Sequence, residues 1–266
     1  MKTFIYRFYV WLVLVFFYAP IFVLMVFSFN NSKSRTVWLG FTFDWYLQLF
    51  KDETIMHSVY VTLVVAVLAA LLSTVLGTAA AIGIAGMGKR QRALIMNVTY
   101  IPVLSPEIIT GVSIMLLFVW SGLKLGMLTL LLAHISFDVP FVILSVSPKL
   151  RQLDPHLFEA ALDLGAKPMS AMRKVILPQI WPGVITGMLM AFTLSVDDFV
   201  ISYFTSGPTS QTLSITIYAM TRKRVSPEIN ALSTLLFIVV LTLLVIVNLR
   251  QSRDNKQPQR KEEDVR

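Results

Sequence analysis

Four carboxylates stand where the sequence is otherwise apolar: Glu107 in "LSPEIIT", Asp138 in "ISFDVPF", and the adjacent Asp197 and Asp198 in "LSVDDFV". An ionised Asp near the centre of a membrane span costs roughly 2.5–3.5 kcal/mol on an insertion scale. Such groups therefore need partners, protons or a wet cavity, and they turn toward a bundle interior. One chemistry they offer is cation binding, because carboxylates replace lost hydration and aromatic faces add a second cation-binding surface. Phe137, Phe199 and Tyr203 lie close by in the sequence. The competing reading is structural, with the acids satisfied by backbone amides freed near Pro106 and Pro140 or by His134, four residues before Asp138. Asp197 and Asp198 project about 100° apart on a helix. Only one is expected to line a path, while the other caps a broken turn or pairs with a neighbouring subunit.

The elements that must position these groups are membrane spans. Of 266 residues, 56% are hydrophobic and 14% charged, which leaves too little polar surface to coat a soluble globule. Apolar runs of about 20 residues fall at 8–29, 58–85, 94–119, 127–148, 183–205 and 229–249, with Pro102 and Pro106 interrupting the third and Pro140 the fourth. The run from Phe8 to Phe29, preceded by Lys2 and Arg7, is too long for a signal-peptide core and lacks a small-x-small cleavage site, so it is expected to remain as the first span. At the helical rise, Glu107 and Asp197 lie roughly 20 Å from the inner ends of their spans and Asp138 about 16 Å from its outer end. All would then share a middle-to-outer band.

Loop charge sets orientation. With the N-terminus inside, the inner side carries Lys2, Arg7, Lys89, Arg90, Arg92, Lys149, Arg151, Lys167, Arg173, Lys174 and the basic tail from Arg250 to Arg266. The outer side carries Lys33, Arg35, Lys51, Lys124 and the exceptional cluster Arg222, Lys223 and Arg224. The expectation is an all-α, six-span protein with both termini cytoplasmic: one membrane domain over 1–249 and a solvated tail over 250–266. The net charge of +8 is thus read as topology, not nucleic-acid binding. The outer segment 30–57, with Trp38, Trp45 and Tyr46, reads as an interface anchor or as a docking surface for an external partner. Gly183 and Gly187 read as a site of close helix packing.

Several classes are disfavoured. The sequence has no Cys, only three His and no HExxH pair, so no metal site is expected. No phosphate-binding loop occurs; "GMGKR" at 86–90 has neither its spacing nor its hydroxyl residue. The Gly-x-Gly-Asp signature of intramembrane aspartyl proteases is absent as well. No catalytic residue is expected.

The longest inner loop, 149–182, carries its own structural signals. Asp154 and Pro155 read as the cap and first residue of a short helix over 155–164, and Gly165 as its left-handed terminator. Pro168 would open a second helix, which Pro178 and Pro182 would stop before the next span. Leu157, Ala161 and Leu164 share one face of the first helix with Phe158 beside them, while Glu159 and Asp163 mark another. A helix lying on lipid takes Lys and Arg on its polar face. This one carries acids, which favours a groove in another protein over an anionic membrane surface.

"EAALDLG" at 159–165, followed after nine residues by "VILP" at 175–178, resembles the EAA loop of bacterial ABC-importer permeases. Its spacing matches in full, and the one departure is Val175 where the pattern carries Ile. "YAPIFVLMVFSFNNS", "YIPVLSPEIITGVS", "HISFDVPFVILSV" and "TLSVDDFVISYFTSGP" further resemble the second permease subunit of spermidine/putrescine importers. The resemblance implies a multi-pass subunit of the bacterial cytoplasmic membrane, working by alternating access with a second permease chain, a dimer of ATP-binding subunits and an external polyamine-binding protein. ATP and Mg would be used by the ATPase, and this chain would bind no cofactor. Leu157, Phe158, Glu159, Ala160, Ala161, Leu164, Gly165, Leu177 and Pro178 would then couple to the ATPase. Glu107, Asp138, Asp197, Asp198, Phe199 and Tyr203 would line the substrate path. A permease for another small solute, an anion or a ferric ion, is the alternative; an anion path would be expected to place Arg or Lys within the spans.

Overall fold

The computed structural model describes residues 2–32, 37–223 and 227–254. Lys33, Arg35, Arg224 and the tail beyond Asp254 lie outside the described residues. The described residues are all-helical, with a single isolated bridge between Asn30 and Phe41. In chain order the helices are α1 (Lys2–Ser28), α2 (Asp44–Lys51), α3 (Glu53–Ala85), α4 (Lys89–Leu104), α5 (Glu107–Trp120) and α6 (Met127–Gln152). They continue as α7 (Leu157–Asp163), α8 (Pro168–Ala171), α9 (Leu177–Asp197), α10 (Val200–Thr205), α11 (Leu213–Lys223) and α12 (Pro227–Asp254). Two compact units result, one of residues 1–56 with 217–266, the other of 57–216.

Among the described residues, four helices are long and apolar enough to cross a membrane: Tyr6–Ser28, Glu53–Ala85, Met127–Gln152 and a continuous Pro168–Asp197. The bent pair of α4 and α5 makes a fifth if taken as one span, and Pro227–Thr242 is a shorter apolar helix. The run expected as one span over 94–119 is in fact two helices meeting at 104°. Ser105 and Pro106 are extended there, with ψ of 143° and 131°, because a proline pushes the residue before it out of the helical region.

Other prolines do less than expected. Pro140 and Pro148 sit inside α6, which runs unbroken to Gln152. α6 packs along α9 and also meets α4, α5 and α10, so tertiary contact holds the helix where its sequence alone would weaken it. Pro178 and Pro182 do not stop a helix either. A π-helical turn over Met172–Ile176 joins α8 to α9, with the Leu177 N–H bonded to the Met172 carbonyl. This wider turn makes room for the Pro178 ring and its missing N–H. The fifth span therefore begins at Pro168 instead of 183, and it breaks after Asp197 instead of running on to 205.

The core of the 57–216 unit forms where α6 meets α9. Val142, Ile143 and Val146 of α6 pack with Ile180, Val184 and Ala191 of α9, joined by Ala81 and Ile84 of α3 and Met96 of α4. Glycine permits the approach. A Cβ added to Gly187 would stand 3.2 Å from the Val142 Cα, and one on Gly183 would stand 2.8 Å from the Lys149 Cγ. The small-residue pair is a packing device, as its spacing suggests.

In the other unit, Asn30 organises the loop that follows α1. Its side chain donates to the Val37 carbonyl at 2.8 Å and accepts from the Leu39 N–H at 3.0 Å, while its own carbonyl accepts from the Trp45 indole at 2.8 Å. Trp45 is therefore buried and structural, not an interface anchor, whereas Trp38 stays half exposed.

Candidate functional site

The four intramembrane acids separate into two sets. Asp138 is completely buried, and the Ser195 hydroxyl of α9 donates to its Oδ2 at 2.8 Å. Its Oδ1 has no hydrogen-bond partner among the described residues. The Asp198 side chain is 5% exposed and accepts the backbone N–H groups of Ile201 at 3.1 Å and Ser202 at 2.7 Å. It thus caps α10, the short helix that follows the break in the fifth span. Free N–H groups at a helix start attract a carboxylate through both hydrogen bonding and the helix dipole.

His134 joins these two acids. It is 1% exposed, with Nδ1 3.1 Å from the Ser195 Oγ, Nε2 3.1 Å from the Ser202 Oγ, and Nε2 3.7 Å from the Asp198 Oδ2. Since Ser195 spends its proton on Asp138, the Nδ1–H donates to Ser195, and in the neutral imidazole Nε2 accepts from Ser202. The sequence suggests a direct contact between His134 and Asp138 at i, i+4; in the structure the two are bridged by Ser195. Ser195 and Ser202 were not singled out in the sequence. The only signal for them is a hydroxyl on each side of Asp198 in an apolar run.

Glu107 and Asp197 behave differently. Both are exposed on the isolated chain, and each lies within electrostatic reach of the other. Glu107 opens α5, which packs against α10 where Gly111 meets the Phe204 ring and the backbone of Ile201. Next to Asp197, across the break, Phe199 and Tyr203 form a tilted aromatic pair with ring centroids 5.5 Å apart. Tyr203 is 53% exposed. Two carboxylates without a lysine or arginine in ion-pair range among the described residues, with Asp197 followed two and six residues on by Phe199 and Tyr203, form a set of groups suited to an organic cation. Charges in a span do not face lipid, so this face is one that water, solute or another subunit covers.

The segment between α6 and α9 builds a second surface. Asp154 does not cap a helix at Pro155; its carboxylate accepts the His156 N–H at 2.9 Å in a turn, and α7 starts at Leu157. Gly165 has the left-handed φ of 83°, with its N–H on the Leu162 carbonyl and the Ala166 N–H on the Ala161 carbonyl, a Schellman end. Ala161 is buried where α7 meets α8 and the π-helical turn, and Leu157 and Phe158 are half buried. Leu164, by contrast, is 89% exposed, and Glu159 and Ala160 are exposed with it. Among the described residues Glu159 pairs only with His156, at 3.4 Å and open to solvent, a contact worth little on its own. Leu177 packs against the α6–α9 core, and Pro178 is exposed on α9.

A family model described as "Binding-protein-dependent transport system inner membrane component" matches residues 73–253. The chain is 37% identical over 228 residues to the spermidine/putrescine transport system permease protein PotC of Escherichia coli K12, covering 86% of each. It is 42% identical over 230 residues to the putrescine transport system permease protein PotI of the same organism, covering 83% of this chain and 81% of the relative. Among solved structures, a chain of a bacterial ABC transporter that imports the acidic polysaccharide alginate matches with a TM-score of 0.72 at 19% identity, over 95% of this chain and 94% of that one. A chain of the MetNI methionine ABC transporter matches with a TM-score of 0.61 at 20% identity, over 76% and 98%.

Proposed function

The chain belongs to the inner membrane components of binding-protein-dependent transport systems, and from that premise we propose that it carries polyamines, putrescine and spermidine, inward past Glu107 and Asp197. It is a permease subunit of an ABC importer, a multi-pass transport protein of the inner membrane and not an enzyme. The observation that carries the substrate reading is the pair of exposed carboxylates, Glu107 and Asp197, within electrostatic reach of one another, with the Phe199–Tyr203 rings following Asp197 in the chain. A polyamine is a flexible chain of ammonium groups, and desolvating each requires an anion, a carbonyl or a ring face.

In this reading six membrane passes are made, with α4 and α5 forming one bent pass and α12 the last, and both termini are cytoplasmic. A second permease subunit covers the Glu107–Asp197 face and closes the path. Two ATP-binding subunits receive α7 in a groove, with Leu164 as the protruding anchor, and an external binding protein delivers the solute. ATP and Mg act in the ATPase, and this chain binds no cofactor. Closing of the ATPase dimer pushes α7. Ala161 ties α7 to the start of the long Pro168–Asp197 helix, so the push reaches the acids at its far end.

Uptake of labelled putrescine and spermidine by the complete transporter in proteoliposomes tests this. Asp197→Asn should lower uptake at saturating loaded binding protein about tenfold, as expected for loss of a charge-assisted contact, with ATP hydrolysis retained. Uptake unaffected by Asp197→Asn and by Glu107→Gln would remove these acids from the path.

A further inference from the structure

The fifth span is interrupted between Asp197 and Val200, and two backbone residues alone do not fix the angle between its halves. Side chains must do so. The Ser214 hydroxyl of α11 holds the Asp198 carbonyl at 2.6 Å, and the Asp198 carboxylate holds the N–H groups of α10. Asp198 also bonds back to α9 through its N–H, on the Leu194 carbonyl at 3.1 Å, and His134 adds a tie from outside the span: Ser195 on α9 through Nδ1 and Ser202 on α10 through Nε2. It does so from α6, the helix that packs along α9.

We infer that His134 is a positioning residue that ties both halves of the broken fifth span to the fourth, and thereby sets the direction in which Asp197 and the Phe199–Tyr203 pair are presented. A packing role alone would not require this chemistry. An apolar side chain of similar volume would fill the space without leaving buried nitrogens to be satisfied, and burying polar groups is unfavourable unless they are bonded. Both nitrogens are bonded, to hydroxyls on opposite sides of a break that bears the exposed acid. Removing the imidazole leaves Ser202 without its side-chain partner and Ser195 with Asp138 only. α10 would keep the Asp198 cap, the bond from the Thr129 hydroxyl to the Thr205 carbonyl and its packing on α5, but would lose the link from Ser202 to α9, and its orientation would shift, carrying Tyr203 with it. The inference rests on the proposed path for its consequence in transport, but not for its geometry.

The test uses the complete transporter with His134→Leu, His134→Gln and Ser202→Ala. Gln offers one donor and one acceptor in place of the two ring nitrogens. His134→Leu should lower polyamine uptake per ATP hydrolysed about tenfold, the scale of a misplaced binding group, and His134→Gln should restore most of it. A second readout does not depend on the solute. The chain has no cysteine, so Tyr203→Cys supplies one thiol on this subunit. Its rate of maleimide labelling should change about threefold or more when His134→Leu or Ser202→Ala is added. If His134→Leu fails to assemble, Ser202→Ala decides, since it keeps the imidazole and cuts only its link to α10. Unchanged labelling in Ser202→Ala, or Gln no better than Leu in uptake, overturns the inference. Altered labelling in a transporter that moves no polyamine upholds the tie and defeats the substrate reading instead.

Discussion

Asp197 and Asp198 are neighbours in sequence and opposites in the fold. Asp197 ends α9 with its carboxylate exposed and within reach of Glu107. Asp198 turns inward, caps α10 and faces His134, and in this it belongs with Asp138. The helix break between them makes the difference. On an unbroken helix the two would diverge by about 100°, and neither would find free backbone N–H groups. The break supplies those donors to one acid and leaves the other outside. Residue type therefore does not assign a role to a buried-span acid; the donors that local backbone geometry offers do.

The largest expected effect concerns the inward pair. Asp198→Ala removes two hydrogen bonds to a carboxylate at a helix start and should destabilise the purified complex by about 2 kcal/mol. Thermal unfolding in detergent would show this as a lowered midpoint, and Asp198→Asn, whose single amide oxygen can accept only one of the two N–H groups, should recover only part of the stability. Asp197→Ala should stay within about 0.5 kcal/mol of the parent. Equal losses at both positions would erase the distinction between them.

Much of this division was out of reach of the sequence, for identifiable reasons. Apolar length located the helices, and Gly165 announced its turn because only glycine takes φ of 83° without strain. Pro106, with Ser105 before it and Glu107 after it, marked a discontinuity whose angle of 104° depends on packing. Prolines misled elsewhere. Nothing in "LRQLDPHLFEAALDLGAKPMSAMRKVILPQI" states that a π-helical turn will carry the chain past Pro178, because the compensation is a backbone register and not a residue type. The break at Asp198 has no Pro or Gly to signal it. Only an Asp ahead of "FVISYF" hints at a cap. Ser195 and Ser202 are ordinary in an apolar helix, where hydroxyls commonly bond their own backbone. They become informative only once α6 brings His134 between them.

A double-mutant cycle sharpens the contrast on the outward side. Glu107 and Asp197 repel one another, so neutralising either by Glu107→Gln or Asp197→Asn should leave the folded complex as stable or slightly more so, opposite in sign to Asp198→Ala. In transport each single change should be costly, but the pair should not multiply. The two acids are expected to show a coupling of about 0.5–1 kcal/mol when log uptake rates are compared. Strictly additive effects would mean that the carboxylates serve separate points along the chain's surface and do not share one solute.

The smallest effect belongs to the rings. Tyr203 presents its face beside Phe199 with centroids 5.5 Å apart, and Tyr203 is half exposed. A ring in that position gives a cation about 0.5–1 kcal/mol, so Tyr203→Leu should reduce uptake only about two- to fivefold. Tyr203→Phe should change little, because the face and not the hydroxyl supplies the attraction. The comparison also separates this face from the His134 network. A solute without positive charge, offered in competition, should be insensitive to Tyr203→Leu, whereas a tie that only holds α10 in place would treat every competitor alike. Fold similarity leaves that choice open. A chain of the same fold serves in the alginate importer, whose cargo is acidic. On the proposed reading, what suits this chain to cations lies in side chains such as these, on a backbone plan shared with permeases of unlike solutes.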